Sequence, residues 1–592
     1  MNARPRWFFL WLGLTAVLAA GLTAPTLRAQ DATHNVPMVS GAKADIRLTV
    51  PGGRAAQRGF LTMKARIANR LPEEATWEFS LTSAPSFFRG GMGQELRSTH
   101  RLTVPAETTR EFFVFVPVVT FDTGSGGNSL RGEVSGPEVA TGTIYLNLGY
   151  GWGNVLGPMA AGPGLLESLR KTVEAHVGTR RPATRASGGV RAAAPMGMPP
   201  TAIIDQAMGR VSSLDPATLP ADWRVWSPFN VVMLQTDTWE RLDVARKDAL
   251  RTAVVFGLRL VLVPAVRRDE VATETVGTGQ IITLEGPLDP ARLSAVRALD
   301  LFDRNGGGRA LAPLVNEGFW AIPSREWEVP VGRGWLTAFV IGFGLLIGPV
   351  NVFFLAKAGR RHRLFFTVPA ISLAAAAALM AMIMVKDGFG GEGSRRAVVV
   401  LMPERNQAAV FQKQVSRTGL LGGRSFALPA DVLMERGAEG TAANASVMVR
   451  EGEMASGDWF ASRVIQTHEL TRLWPTRERI ELLPPVAGAP ADAAPVVQST
   501  VGTVLRDFGY RDQGGRYWVA AELPPGVKTT LRPAEAAEVD VAPFRRSSWT
   551  PGRFFARATE PGQPALIPTL TSLAWRDDIT IYTGELAPRS AP

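Results

Sequence analysis

The chain has 592 residues, enough for several domains beyond any membrane segment. It carries 64 Lys and Arg against 53 Asp and Glu, a formal charge of +11, and no cysteine. The missing cysteine excludes a disulfide framework, a thiol nucleophile and a zinc–thiolate site. The basic charge is spread thinly and forms no basic face interleaved with aromatic residues, which argues against a nucleic-acid partner.

Residues 1–29 read as an export signal. Arg4 and Arg6 form a positive start, 7–22 is an apolar run broken only by Thr15 and glycines, and Ala29 can precede a cleavage site, although Leu27 at −3 is bulky. An uncleaved N-terminal anchor is the alternative reading. Either way residue 30 onward lies outside the cytoplasm.

Residues 38–150 read as all-β. In 44–50, Ile46, Leu48 and Val50 alternate with Arg47 and Thr49, and 61–67 alternates in the same sense. Residues 101–104, 110–116 and 142–148 are further strands, with 104–111 holding a turn. Short strands at this spacing predict an immunoglobulin-like β-sandwich. The Gly-rich stretch 122–128 lacks the Lys of a phosphate loop and reads as a hairpin or loop. Residues 177–201 form a basic Pro/Ala/Gly linker.

The pattern changes in 202–290. Residues 230–234 form a continuous apolar run, as in a strand buried on both faces. A helix over 238–254 follows, with Leu242, Ala245, Ala249, Leu250 and Ala253 on one face and Gly257 ending it. Residues 258–263 form a second buried strand, and 276–284 a Gly turn into another. This is the βαβ pattern of a parallel sheet. Trp152, Trp223, Trp226 and Trp239 concentrate around this α/β region. They make a candidate ligand platform, since aromatic faces stack on sugar rings; the alternative is that they fill the core or the seam with the sandwich.

Two charge-free apolar runs follow, 335–356 and 364–385. About 20 helical residues cross a hydrocarbon core, so each predicts a transmembrane helix. The hinge 357–363 carries Lys357, Arg360, Arg361 and Arg363, which assigns it to the cytoplasmic side and both flanks to the outside. Asn351 and Pro349 lie within the first span. Asn351 is expected to bond to the second helix or to backbone that Pro349 frees. Gly342, Gly344 and Gly348 are expected to pack closely on the alanines of 374–378.

The run 219–234, the helix, 257–263 and 276–282 together resemble a class I glutamine amidotransferase-like domain. The resemblance is to the degenerate, flavodoxin-like version found in bacterial membrane proteins, where an exported β-sandwich and this domain precede a membrane hairpin. Gly348-Pro349-Val350-Asn351, the basic hinge and Phe366-Thr367-Val368-Pro369 match that hairpin. The resemblance implies an α/β domain over 151–320. Amidotransferase chemistry needs a Cys activated by a His, so that activity does not carry over.

Residues 395–592 contain strand-like segments at 397–402, 445–450, 479–483, 517–523 and 578–582, a turn into a strand at 523–531, and a low-complexity loop at 484–495. They predict a separate outer β-rich domain. None of His34, His100, His176, His362 and His468 forms a ligand pair. No Gly-x-Ser-x-Gly elbow occurs, and if Gly306 took the sixth position of a calcium loop, the first and twelfth would be Leu301 and Ala312, without the anchoring carboxylates. No catalytic, cofactor or metal residue is assigned. The expectation is a multidomain protein of the bacterial inner membrane, whose partners are the lipid bilayer and envelope proteins or glycans. The rival readings are a glycan-processing hydrolase with a carboxylate site between domains, and an accessory subunit of a transport complex.

Overall fold

The computed structural model describes residues 31–53, 58–85, 94–119, 128–140, 143–146, 159–179, 211–266, 272–288, 315, 317–322, 333–356, 359–436, 446–484, 493–539, 549–560 and 563–586. The expected export segment and linker (the latter for the most part), Trp152, Lys357 and the glycine-rich stretches 122–127 and 303–308 lie outside them. The chain is mostly β-sheet, in several sheets, with two long apolar helices.

Alternation builds the N-terminal region as expected. Strand Ala44–Val50 buries Ile46, Leu48 and Val50 and exposes Arg47. It lies in a four-stranded antiparallel sheet with Ala32–Asn35, Phe60–Asn69 and Thr108–Pro117. A second sheet contains Ala75–Pro85, Gln94–Val104, Asn128–Ser135 and Thr143–Leu146. Ile46, Leu48 and Met63 of the first share one core with Trp77, Phe79 and Leu81 of the second, and all six are fully buried.

The middle region has five parallel strands. In spatial order they are Val211–Ser213, Met159–Ala161, Val231–Gln235, Arg259–Val263 and Gly279–Thr283, with Ala272–Val276 antiparallel at the edge. The chain thus places its second strand outside its first and its third inside, so the order reverses between the first and third strands. A Cβ on Gly279 would sit 2.2 Å from the Val254 carbonyl oxygen, so only glycine lets the last strand lie under the preceding helix. The single helix expected over 238–254 is two, Thr236–Arg241 and Val244–Val255, because the Asp243 side chain accepts from the Arg246 N–H at 2.8 Å and starts a new helix. Ala245 consequently faces solvent, while Leu242, Ala249, Leu250 and Ala253 are buried. Helix Leu166–Thr179 takes up the first three residues of the expected linker.

The region after the spans is not a separate domain. Strand Ser446–Glu451 pairs in parallel with Gln94–Val104, so it extends the second N-terminal sheet to seven strands together with Met454–Gly457 and Phe426–Ala427. The remaining C-terminal strands form a nine-stranded sheet around Gly391–Met402 and Leu573–Glu585, and a small three-stranded one. The three regions meet in a common aromatic core. Trp223 packs on Phe256 at 4.4 Å between ring centroids, Phe256 on Phe411 at 5.5 Å, and Phe60 lies edge-on to Trp223 at 6.4 Å. Truncating one such buried ring to Ala typically costs about 3–5 kcal/mol, so the junction is a true core rather than a contact of finished domains.

Candidate functional site

The hairpin is the element with the plainest physical consequence. Its first helix, Arg333–Leu345, runs on as a π-helical stretch, Leu346–Leu355, that contains Pro349. Proline has no N–H to give and its ring crowds the carbonyl one α-turn back, and a wider turn relieves both. The Ala356 N–H donates to the Asn351 carbonyl at 2.8 Å, the five-residue step of that wider turn. A short turn Arg361–Arg363 leads into the second helix, Leu364–Asp387. The apolar stretches of the two helices are almost wholly exposed, so these helices stand clear of the body. Trp335 and Phe389 are exposed at the body end, and Phe353, Phe354, Phe365 and Phe366 at the hinge end, so each end carries aromatic side chains of the kind that anchor at a membrane surface. Arg360, Arg361 and Arg363 are exposed at the turn.

Two expectations for the hairpin fail. A Cβ on Gly342, Gly344 or Gly348 would meet nothing within 4 Å, so these glycines are not close-packing contacts. The helices instead diverge toward the body around an apolar groove of about 720 Å³, lined by Trp335, Phe339, Gly342, Phe343, Ala374 and Ala378. They pack on each other through the π-helical stretch nearer the turn. Asn351 is fully buried there, yet neither its Oδ1 nor its Nδ2 makes a hydrogen bond; the Thr367 hydroxyl of the second helix is in the same condition.

Among the described residues, Trp223, Trp226 and Trp239 form no shared platform. Trp223 and Trp226 are buried in the seam and the α/β core. Trp239 is half-buried, with Lys247 Nζ 5.9 Å and the Arg251 guanidinium 5.8 Å from its ring centroid. The seam-filling alternative describes Trp223 and Trp226.

A row of buried polar side chains is one that pattern reading misses. In the nine-stranded sheet, Arg436, His468, Gln414, Arg395 and Asp578 stand opposite one another on five successive strands. Arg395 and Asp578 form a bidentate pair, Nε to Oδ1 at 2.9 Å and Nη2 to Oδ2 at 2.6 Å, with Trp575 stacked on the guanidinium at 4.6 Å. His468 Nε2 bonds the Trp459 carbonyl at 2.8 Å, and burial, reinforced by the charge of Arg436, lowers its pKa to about 4. The strand Gln407–Thr418 alternates in a way that would place Gln412, Gln414 and Ser416 in solvent, but the strap 563–570 covers that face. Gln412 Oε1 accepts from the Ile567 N–H at 2.7 Å and its Nε2 donates to the Ile567 carbonyl at 3.0 Å, as a neighbouring strand would.

Two carboxylates also bind adjacent residues. Glu478 Oε1 accepts from the Gly502 N–H at 3.2 Å, Glu560 Oε2 from the Thr503 hydroxyl at 2.8 Å, and burial raises the pKa of Glu478. Among the described residues no group of three or more His, Asp or Glu side chains is placed to hold a metal ion.

No protein-family model matches the chain, and no curated protein matches it in sequence. Among solved structures, a yeast delta-COP-I mu-homology domain complexed with a Dsl1 peptide is similar over 33% of this chain and 96% of its own, at 8% identity and a TM-score of 0.17. A β-D-mannosidase from Dictyoglomus thermophilum matches over 85% of this chain and 74% of its own, at 8% identity and a TM-score of 0.14. Bacteroides uniformis β-glucuronidase 2 matches over 37% and 33%, at 11% identity and a TM-score of 0.13. At such scores the neighbours carry no argument about this chain.

Proposed function

We propose that this is a non-enzymatic cell-envelope protein, held in the bacterial inner membrane by the hairpin and presenting its folded body outside the cytoplasm for binding or assembly. One observation supports the reading above the rest. Strand Ser446–Glu451, after the spans, pairs with Gln94–Val104, before them. A sheet cannot be shared across a bilayer, so both flanks must lie on one side and the hairpin must enter and return. The arginines of the turn favour the cytoplasm as the other side.

On this reading the N-terminal sheets are an immunoglobulin-like sandwich. The strand order of the middle region is that of a flavodoxin-like domain, in keeping with the amidotransferase-like resemblance. Without a cysteine that scaffold has no amidotransferase nucleophile, and fold alone supplies no other activity. Its partners are the bilayer and envelope proteins or glycans. A phosphatase reporter that works only after export should be active when fused at residues 300 and 592 and silent at residue 360. Activity at 360 would sink the topology on which the reading rests.

A further inference from the structure

Four side chains on the strands Gln407–Thr418 and Ile465–Pro475 share one face, as two directly opposed pairs, Gln414 with His468 and Ser416 with Gln466. All four are at least 99% buried. Three are fixed through one polar atom. Gln414 Oε1 accepts from Gln412 Nε2 at 3.3 Å, Gln466 Oε1 accepts from the Ala461 N–H at 3.1 Å, and His468 Nε2 donates to the Trp459 carbonyl at 2.8 Å. Each leaves its other polar atom, Gln414 Nε2, Gln466 Nε2 and His468 Nδ1, without a partner, and Ser416 Oγ has none at all.

Orphan buried polar atoms are uncommon in native proteins and call for a ligand, usually water. Spacing bears on which. Residues two apart along a strand have Cα atoms about 6.6 Å apart; Gln412 and Gln414 close that gap directly, but the four orphan atoms bond neither one another nor any other protein atom, which leaves them to bridging molecules. Charge and polarity narrow it further. Two amide donors repel a cation. The lone pair of neutral His468 repels an anion; Arg395 and Asp578 neutralise each other, and Arg436, opposite His468, keeps its buried Nη2 without a partner and adds one more donor. What remains must accept from the two glutamines and donate to the imidazole.

We propose that these four residues form an enclosed site for a small cluster of water molecules, a neutral hydrogen-bonding ligand, between the nine-stranded sheet and its covering strap. It lies where the strand leaves the membrane, because Ser416 is paired with Gly393, near the start of the strand that follows the second span. The site makes this end of the body polar inside, while the far end, around Val399, Leu401, Ala408 and Val410, is packed with apolar side chains.

Ser416→Ala is the cleanest probe, since the hydroxyl it removes bonds no protein atom. If the hydroxyl holds water, the full-length variant in detergent melts a few degrees lower than the parent. Combining it with Gln466→Met then costs less than the sum of the two, because both groups bind the same molecules. An unchanged or raised melting temperature for Ser416→Ala means that the hydroxyl is an unpaid orphan, and overturns the proposal. A structure at a resolution that shows ordered solvent gives an independent reading. Density within hydrogen-bond distance of Ser416 Oγ and His468 Nδ1 is expected, and an empty site there overturns the proposal whatever the melting curves show.

Discussion

Arg395 and Asp578 carry full charges inside a sheet, and each supplies what water would have given the other. Their geometry is bidentate and Trp575 covers the guanidinium. Such a pair adds little net stability, but breaking it is costly. Arg395→Met alone is therefore expected to cost about 3–5 kcal/mol by leaving Asp578 buried and unpaired. Adding Asp578→Leu should recover most of that, and denaturant melts of the two variants make the comparison. His468 sets an acid limit. Its pKa falls from 6.5 to about 4 on folding, so between those values the unfolded chain holds a proton that the folded chain lacks. Stability is then full above about pH 6.5 and declines toward pH 4, by roughly 3 kcal/mol from this residue. His100 adds to the same window, its pKa lowered to about 4 by burial and by Arg450. His468→Gln keeps a donor for the Trp459 carbonyl and should flatten part of the acid dependence in melts from pH 7 to 4. Little of this was legible in the sequence. Gln412, Gln414 and Ser416 alternate as a solvent face does, and only the strap that arrives some 150 residues later, Ile567 on Gln412, buries them.

The two helices long and apolar enough to cross a membrane could be read directly, because absence of charge over such a length is a local property. Pro349 also announced an irregular turn, although not that the turn would widen to a π-helix. The divergence of the helices was hidden, because the body fixes where each span begins and ends, and small residues such as Gly342 line a groove as well as they line a contact. Removing the irregularity should show. Pro349→Ala permits ordinary α-helical bonding, which turns the residues beyond it by about 100° and carries Asn351 out of the helix–helix contact. In this cysteine-free chain, cysteines placed at 351 and 367 are expected to cross-link efficiently, and to lose most of that cross-link when Pro349→Ala is added. An equal yield in both would mean that proline does not set the register. The split at Asp243 was the opposite kind of miss, since an Asp three residues before Arg246 is a readable helix start inside what looked like one periodic run.

At the scale of the whole molecule, the regions before and after the hairpin complete each other. Phe60, Trp223 and Phe411 come from three regions of the chain and sit in one core, so residues 31–332 exported alone should aggregate or be degraded, and co-export of 391–592 should restore soluble protein. Individual strands were legible by alternation. Their partnership was not, because 94–104 and 446–451 are joined by register across more than three hundred residues and carry no mark of it in either segment. The central claim is that both flanks share one side of the membrane and the arginine turn lies on the other. The absence of native cysteine makes the test direct. Single cysteines at the exposed positions Tyr145, Arg361 and Val527 are treated with a membrane-impermeant maleimide in spheroplasts. Labelling at 145 and 527, with 361 labelled only after lysis, is the predicted result. Labelling of 361 in intact spheroplasts, or of only one of 145 and 527, would contradict the account.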